Sequence, residues 1–387
     1  MTIHKPRILI LTYSPISSGP RPLKQIDYLS KSYDVTTAGY GHAPNESLRH
    51  IEFIQSNPYS SSVFSRPRYQ VAFALRLYRL ASEWNLRDKA AYELLSGEEW
   101  DVIIAHDVKT IFLANRLSAK HGVLSDLHEY APRQGDDALA WRLLIAPYYR
   151  WLCRTEVTKA AAVTTVSLGI VEEYRREFGI ESELVVNATP FHDLAPTPVS
   201  ALLRLVHSGS AAPARKLEVM IEAVRETSAN VTLDLYLIEG NSEYLRRLKE
   251  LAGDSDRIRF RDSVPYSELV RTLSEYDLGL SILPPVNFNH LWALPNKFFD
   301  YIQARLGVII GPSPEMARIV GEYEIGAVTE DFSARSLSRL LETITPDQVM
   351  DWKAASHRHA RELSGEEQVK VWGSIVKRLL AADQPSL

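Results

Sequence analysis

Basic residues stand in this sequence where helices are expected to begin. Arg215 and Lys216 follow His207-Ser208-Gly209-Ser210 and precede Leu217 and Glu218. Cations usually sit at helix C-termini, where they complement the macrodipole. A basic pair at a helix start fits an anion, such as a diphosphate, held between the pair and the helix N-terminus. Lys297 repeats the pattern after Pro295 and Asn296, with Asp300 one turn on, where a carboxylate could grip ribose hydroxyls. The loop Gly311-Pro312-Ser313-Pro314-Glu315 then opens another helix. The plainer readings are a solvated charge pair, a capping Asn and a surface acid. Two consecutive anion-ready helix starts on neighbouring strands weigh against them.

Imidazoles and carboxylates cluster at two further strand ends. One is His106-Asp107, and the other is Asp126-Leu127-His128-Glu129-Tyr130. An Asp-x-His-Glu terminus is expected to project polar groups into a cleft and not a core. His128 could donate to a substrate hydroxyl or take part in proton transfer. Asp126 and Glu129 could instead merely cap the next segment, but clustering of all three favours function. The loop 12–22, with Gly19 before Pro20-Arg21-Pro22, lets backbone approach a ligand ahead of a helix N-terminus. It carries no GxGxxG, which disfavours an ordinary nicotinamide or flavin site.

Elements that would position these residues alternate along the whole chain. Strands are expected over 7–12, 34–37, 101–105, 123–126, 162–166 and 184–186, with helices over 23–31, 68–82, 108–121 and 170–178. Residues 188–198 hold Pro190, Pro196 and Pro198 without periodicity and read as a linker. Alternation restarts with strands over 204–207, 232–238, 257–261, 278–282, 307–310 and 327–329. The helices between them are expected over 216–226, 243–251, 267–276, 296–304, 314–320 and 334–343. This pattern implies an α/β class, with parallel sheets covered by helices in two tandem domains, 1–190 and 201–360. Parallel sheets bind ligands beyond the carboxyl ends of their strands, and two such domains create a cleft, so function is expected in the post-strand loops.

Composition narrows the function. With 387 residues, 24% charged and a net charge of -4, the chain lacks the field of a polybasic nucleic-acid binder. Its one cysteine, Cys153, excludes an internal disulfide framework and a Cys-rich zinc site, and fits a reducing, cytoplasmic home. The run Ile8–Leu11 is too short for a signal-peptide core, and no stretch nears the roughly 18 apolar residues of a membrane span.

In order and spacing these motifs resemble the GT-B glycosyltransferases, in particular the large retaining family 4. The likeness is carried by the loop around Gly19, residues 101–107, Asp126-Leu127-His128-Glu129, residues 163–168 and residues 185–190. In the second half it is carried by His207-Ser208-Gly209 with Arg215-Lys216-Leu217-Glu218, by residues 264–269 and 276–280, and by 294–304. The resemblance implies two Rossmann-like domains, with the acceptor held mainly by the first and a nucleotide sugar by the second. It implies that Arg215 and Lys216 neutralise the donor diphosphate, and that Gly19, Gly209, Asn296 and Lys297 also bind the donor. Asp300 falls where the family usually has a glutamate on the ribose, Val264 and Pro265 bracket the base, and His128 contacts the donor sugar. His106, Asp126 and Glu129 are the acceptor-side candidates, and a last helix within 361–387 packs back across the N-terminal domain.

The family often carries a pair of glutamates at the later helix. Here the second position is Asp300 and the first falls on Trp292, so Asn287, Asn289 or His290 would take over the sugar contacts. The expected reaction is retaining transfer from a nucleotide-diphosphate sugar, preferably a UDP-sugar, to a hydroxyl acceptor. Neither a metal nor another cofactor is expected, because Arg and Lys supply the positive charge. The expected setting is cell-surface polysaccharide, lipopolysaccharide or glycolipid assembly, with a glycan, lipid-linked or small-molecule acceptor. Two alternatives are a catalytically silent GT-B subunit supporting a partner transferase, and a sugar-nucleotide 2-epimerase. Two segments mixing Arg with apolar residues, 66–79 and 140–151, are candidate faces for the inner surface of the membrane, against simple core packing.

Overall fold

A computed structural model describes residues 5–53 and 67–382. The chain divides into two units: Met1–Val186 with Asn287–Asn289 and Val369–Leu387, and Asn187–Val286 with His290–Gln368. Residues 188–198 thus belong to the second unit. They are tied down there by bonds such as His192 N–H to Gln303 Oε1 (3.1 Å) and the Arg305 guanidinium to the Leu194 carbonyl (3.1 Å). Arg66 lies outside the described residues.

In the first unit, seven strands form one sheet. They are β1 (Arg7–Pro15), β2 (Asp34–Tyr40), β3 (Arg49–Glu52), β4 (Val102–His106), β5 (Val123–Asp126), β6 (Ala162–Thr165) and β7 (Glu183–Leu184). Their order is β3-β2-β1-β4-β5-β6-β7, and every pairing is parallel. The unbroken run Ile8, Leu9, Ile10, Leu11 is fully buried, as a parallel strand covered on both faces requires. Val369, Trp372, Ile375, Val376 and Leu379 form one apolar stripe of the helix Gly365–Ala381 and complete this core with Ile8 and Ile10. Cys153 is buried in the helix Ala146–Thr155.

Six parallel strands build the second unit: β8 (Leu203–Ser210), β9 (Val231–Ile238), β10 (Ile258–Arg261), β11 (Leu278–Ser281), β12 (Gly307–Ile310) and β13 (Gly326–Val328), ordered β10-β9-β8-β11-β12-β13. In each sheet the winding direction reverses once, between β1 and β4 and between β8 and β11. Such reversal points open crevices at the strand carboxyl ends. Close packing sets the helix Asn296–Gln303 on β11: a Cβ at Gly279 would lie 2.3 Å from the Tyr301 ring. The Tyr301 hydroxyl donates to the Leu280 carbonyl at 3.2 Å and accepts from Ser208 N–H at 3.3 Å, which fixes that helix against both central strands.

Three helices differ most from expectation. The one expected over 108–121 spans only Val108–Ala114. The stretch 68–82 is not one helix but two, Pro67–Ala74 and Tyr78–Glu83, broken where Arg76 takes a φ of 56°. The helix expected to include Lys216 starts at Glu218, because Lys216 is left-handed with φ 50°. Arg215 and Lys216 therefore occupy the turn before the helix and not its first turn.

Candidate functional site

Each reversal point gathers polar side chains. In the second unit, His207 near the end of β8 donates from Nδ1 to the Leu280 carbonyl (2.8 Å). Its Nε2 is then left as an acceptor, and Lys297 Nζ donates to it at 3.1 Å. Gly209 has φ 146°, and a Cβ there would sit 2.6 Å from the same ammonium nitrogen. Glycine therefore keeps the space before Lys297 open. Burial, then the nearby Arg215 guanidinium, pushes the Lys297 ammonium down to about 7, against an opposing pull from Asp300. Burial and Lys297 hold His207 well below the usual imidazole range, so it stays neutral.

Arg215 ends the turn Pro213–Arg215, and Lys216 stands exposed beside Glu218 at 3.8 Å. Among the described residues neither Arg215 nor Lys297 has a carboxylate within ion-pair distance. Asn296 is the exposed first residue of its helix, with Pro295 at the cap position. Asp300 is 3% exposed and accepts from Thr189 Oγ1 at 2.5 Å and from the Tyr266 hydroxyl at 3.5 Å. Val264 is half-buried and Pro265 exposed, just before the helix Tyr266–Leu273. The arrangement offers concentrated positive charge at a strand end, which suits a phosphate or diphosphate.

In the first unit the polar cluster is built inward. Asp126 is 0% exposed. Its Oδ2 receives Arg21 Nε (2.8 Å) and Gln25 Nε2 (2.9 Å), and its Oδ1 receives Arg21 Nη2 (2.5 Å) and Thr164 Oγ1 (2.6 Å). Despite burial, Arg21 holds the carboxyl far below the usual carboxylate range. Arg21 also donates to the Val185 carbonyl at 2.6 Å and lies over the Trp372 ring at 4.7 Å. His106, 1% exposed, meets Gln25 Oε1 at 2.9 Å through Nε2 and His128 Nε2 at 2.9 Å through Nδ1. Burial drives its imidazole down to about 3.

His128 is half-exposed and is the member of this chain that meets solvent. Burial of the ring and Arg21 also lower its basicity, against Asp126 and Asp107, which favour the charged form. Asp107 adopts φ 67° and accepts from Val108 N–H at 2.8 Å, while half-buried Glu129 is raised by burial and then by Asp107. The ligand-capable atoms of His106, Asp126 and His128 lie within 4.8 Å of one another. A cation there would compete with the Arg21 guanidinium for both carboxylate oxygens, so the cluster fits a hydrogen-bond network better than a metal centre.

The expectation that the Asp-x-His-Glu terminus projects wholly outward is corrected. Asp126 and His106 are core groups, because a buried arginine needs that carboxylate; only His128 and Glu129 reach the surface. Gly19 caps the helix Pro20–Leu29, which carries Arg21 and Gln25. Sequence reasoning passed over those two residues, although their four-residue spacing puts them on one helix face. Thr164, Thr189 and Tyr266 gave no distinguishing signal. Of the proposed substitutes for a sugar-contacting glutamate, Asn289 is already committed, exchanging hydrogen bonds with the Tyr130 backbone at 2.8 and 3.2 Å.

No protein-family model matches this sequence, and no curated protein does. Solved structures do. A glycosyltransferase from Rickettsia africae shares 15% identity and a TM-score of 0.69 over 98% of this chain and all of that one. Sucrose-phosphate synthase from Thermosynechococcus elongatus shares 13% at a TM-score of 0.70, covering 98% of this chain and 100% of its own. HepE from Anabaena, in complex with UDP, shares 13% at 0.68, covering 96% and 100%. The fold is GT-B: two Rossmann-like α/β units of parallel strands.

Proposed function

We propose that this chain is a glycosyltransferase resembling retaining family 4, which moves a sugar from a UDP-sugar to a hydroxyl acceptor. The observation that carries the reading is the Lys297–His207–Gly209 arrangement with Arg215, a cationic cluster at the point where the second sheet reverses. The second unit is read as the donor unit and the first as the acceptor unit. Neighbours of the same fold include HepE complexes with UDP and with UDP-glucose, which supports uridine as the base.

In this reading the bond from the anomeric carbon to the diphosphate breaks as the acceptor oxygen attacks the same face. The hydroxyl proton passes to the departing phosphate oxygen. Charge grows on the leaving diphosphate, and Arg215, Lys216 and Lys297 stabilise it where it develops, so neither a protein nucleophile nor a metal is needed. The setting we infer is cytoplasmic, in assembly of surface polysaccharide, lipopolysaccharide or glycolipid.

Membrane-surface contact belongs to the same reading. Exposed Leu75, Leu77, Leu143 and Leu144 lie in the two segments that also carry Arg68, Arg76, Arg79 and Arg142. No helix among the described residues is long and apolar enough to cross a membrane. Flotation with anionic but not neutral vesicles would support contact; sedimentation free of both would remove it.

Calorimetric titration with UDP, GDP, ADP and CMP, with and without magnesium, tests the donor site. Binding of UDP without metal supports the assignment. Failure of a folded protein to bind any nucleotide overturns it and favours a silent subunit.

A further inference from the structure

Asp126 fixes the polarity of every group linked to it. Its carboxylate only accepts, so the Gln25 amide must turn its NH2 toward Oδ2 and its carbonyl Oε1 toward His106. That carbonyl can only accept, so His106 carries hydrogen on Nε2. A neutral His106 then has a bare Nδ1, and the group 2.9 Å from it, His128 Nε2, must be the donor. Asp126 Oδ2 lies 3.8 Å from His128 Nε2 and 3.4 Å from His106 Nδ1, so it favours a proton in the contact between the two rings without choosing the ring. Burial chooses it: His106 is 1% exposed, and Asp126, which would favour a charged His106, is already bound on both oxygens by the Arg21 guanidinium, so His106 stays neutral and the proton belongs to His128.

We propose that Gln25 and His106 are positioning residues that hold His128 in the Nε2–H tautomer, leaving Nδ1 as an acceptor for a hydroxyl group of the bound substrate. A phosphate oxygen, which only accepts, is thereby disfavoured at His128. The tautomer follows from this chain alone; the identification of the hydroxyl as a sugar or acceptor hydroxyl rests on the transferase reading. No residue among those described bonds to Nδ1, so it is open to a ligand. The two units then divide recognition by chemistry: cations for the diphosphate, a directed lone pair for a hydroxyl.

Nitrogen-15 NMR of the full chain, labelled in its histidine rings and recorded above pH 7, reads the tautomer directly. His128 signals are assigned by their loss in His128→Asn. The expected spectrum shows a protonated Nε2 and a bare Nδ1; hydrogen on Nδ1 overturns the proposal. In Gln25→Leu the clamp is lost and His128 should exchange between tautomers. An unchanged His128 spectrum would remove Gln25 from the device, and if that variant does not fold, the unaltered protein still decides.

Titration of His128→Ala with UDP and UDP-glucose tests the ligand. Loss of about 3- to 10-fold for UDP-glucose with UDP unchanged identifies a donor-sugar hydroxyl. Unchanged affinity for both, with transfer reduced, identifies an acceptor hydroxyl. Equal loss for both means that His128 meets phosphate and overturns the assignment. If UDP fails to bind even the unaltered chain, the transferase reading fails while the tautomer result stands.

Discussion

In the first unit a buried carboxylate, Asp126, accepts four hydrogen bonds, two of them from the Arg21 guanidinium. In the second, the Lys297 ammonium has a neutral imidazole as its partner and a second cation, Arg215, nearby. Asp300 pulls weakly from the side, with Thr189 bonded to its carboxylate. One cluster is internally complete and serves to orient a half-exposed ring. The other is electrostatically unfinished in the free chain. An unfinished cationic site gains when an anion arrives, whereas a finished network contributes to the fold whether or not ligand is present. Folding and binding measurements should therefore separate the two.

The largest separation is expected from Asp126→Asn. It leaves Arg21 buried beside a neutral amide, a loss of about 3–5 kcal/mol in denaturant unfolding. The correctly folded fraction should keep its affinity for UDP. Arg215→Ala combined with Lys216→Ala should do the reverse. Each charge-assisted contact is worth about 1.5–3 kcal/mol, so UDP affinity should fall about 100-fold or more by calorimetry, with little change in thermal midpoint. If UDP binding survives this double change, the contrast between the units collapses.

A smaller effect sharpens the comparison through pH. The Lys297 ammonium titrates near 7 in the free chain. Bound anion favours its protonated form, so below that value it is already charged and above it binding must take up a proton. UDP affinity should fall by up to about tenfold per pH unit above 7. Calorimetry at pH 8 in buffers of different ionisation enthalpy should detect the uptake, and pH-independent binding would take Lys297 out of the site. The smallest effect is expected from Leu143→Ser with Leu144→Ser. Both side chains are exposed, so stability should change by less than about 0.5 kcal/mol while any vesicle binding drops.

The strand alternation was legible because buried parallel strands leave unbroken apolar runs, as at Ile8–Leu11 and Val308–Ile310. β3 was not, because Arg49, His50 and Glu52 give an edge strand no apolar signature. The break at Arg76 and the turn at Lys216 were hidden for another reason. Both residues adopt positive φ without glycine, and no side-chain pattern announces that. At the site, Lys297, Gly209 and His128 stood out by type and position. Arg21 and Gln25 did not, since their partner Asp126 is 101 to 105 residues away and only the sheet brings them together.

Cys153 has a consequence for chemistry done on the molecule. It is the chain's one thiol, it lies inside the first unit, and burial pushes its ionisation upward. Reagents that require an accessible thiolate should find the folded protein blank. A cysteine introduced at any exposed position would then be the sole point of labelling. The native thiol would become a clock, its slow modification timing each opening of the helix Ala146–Thr155.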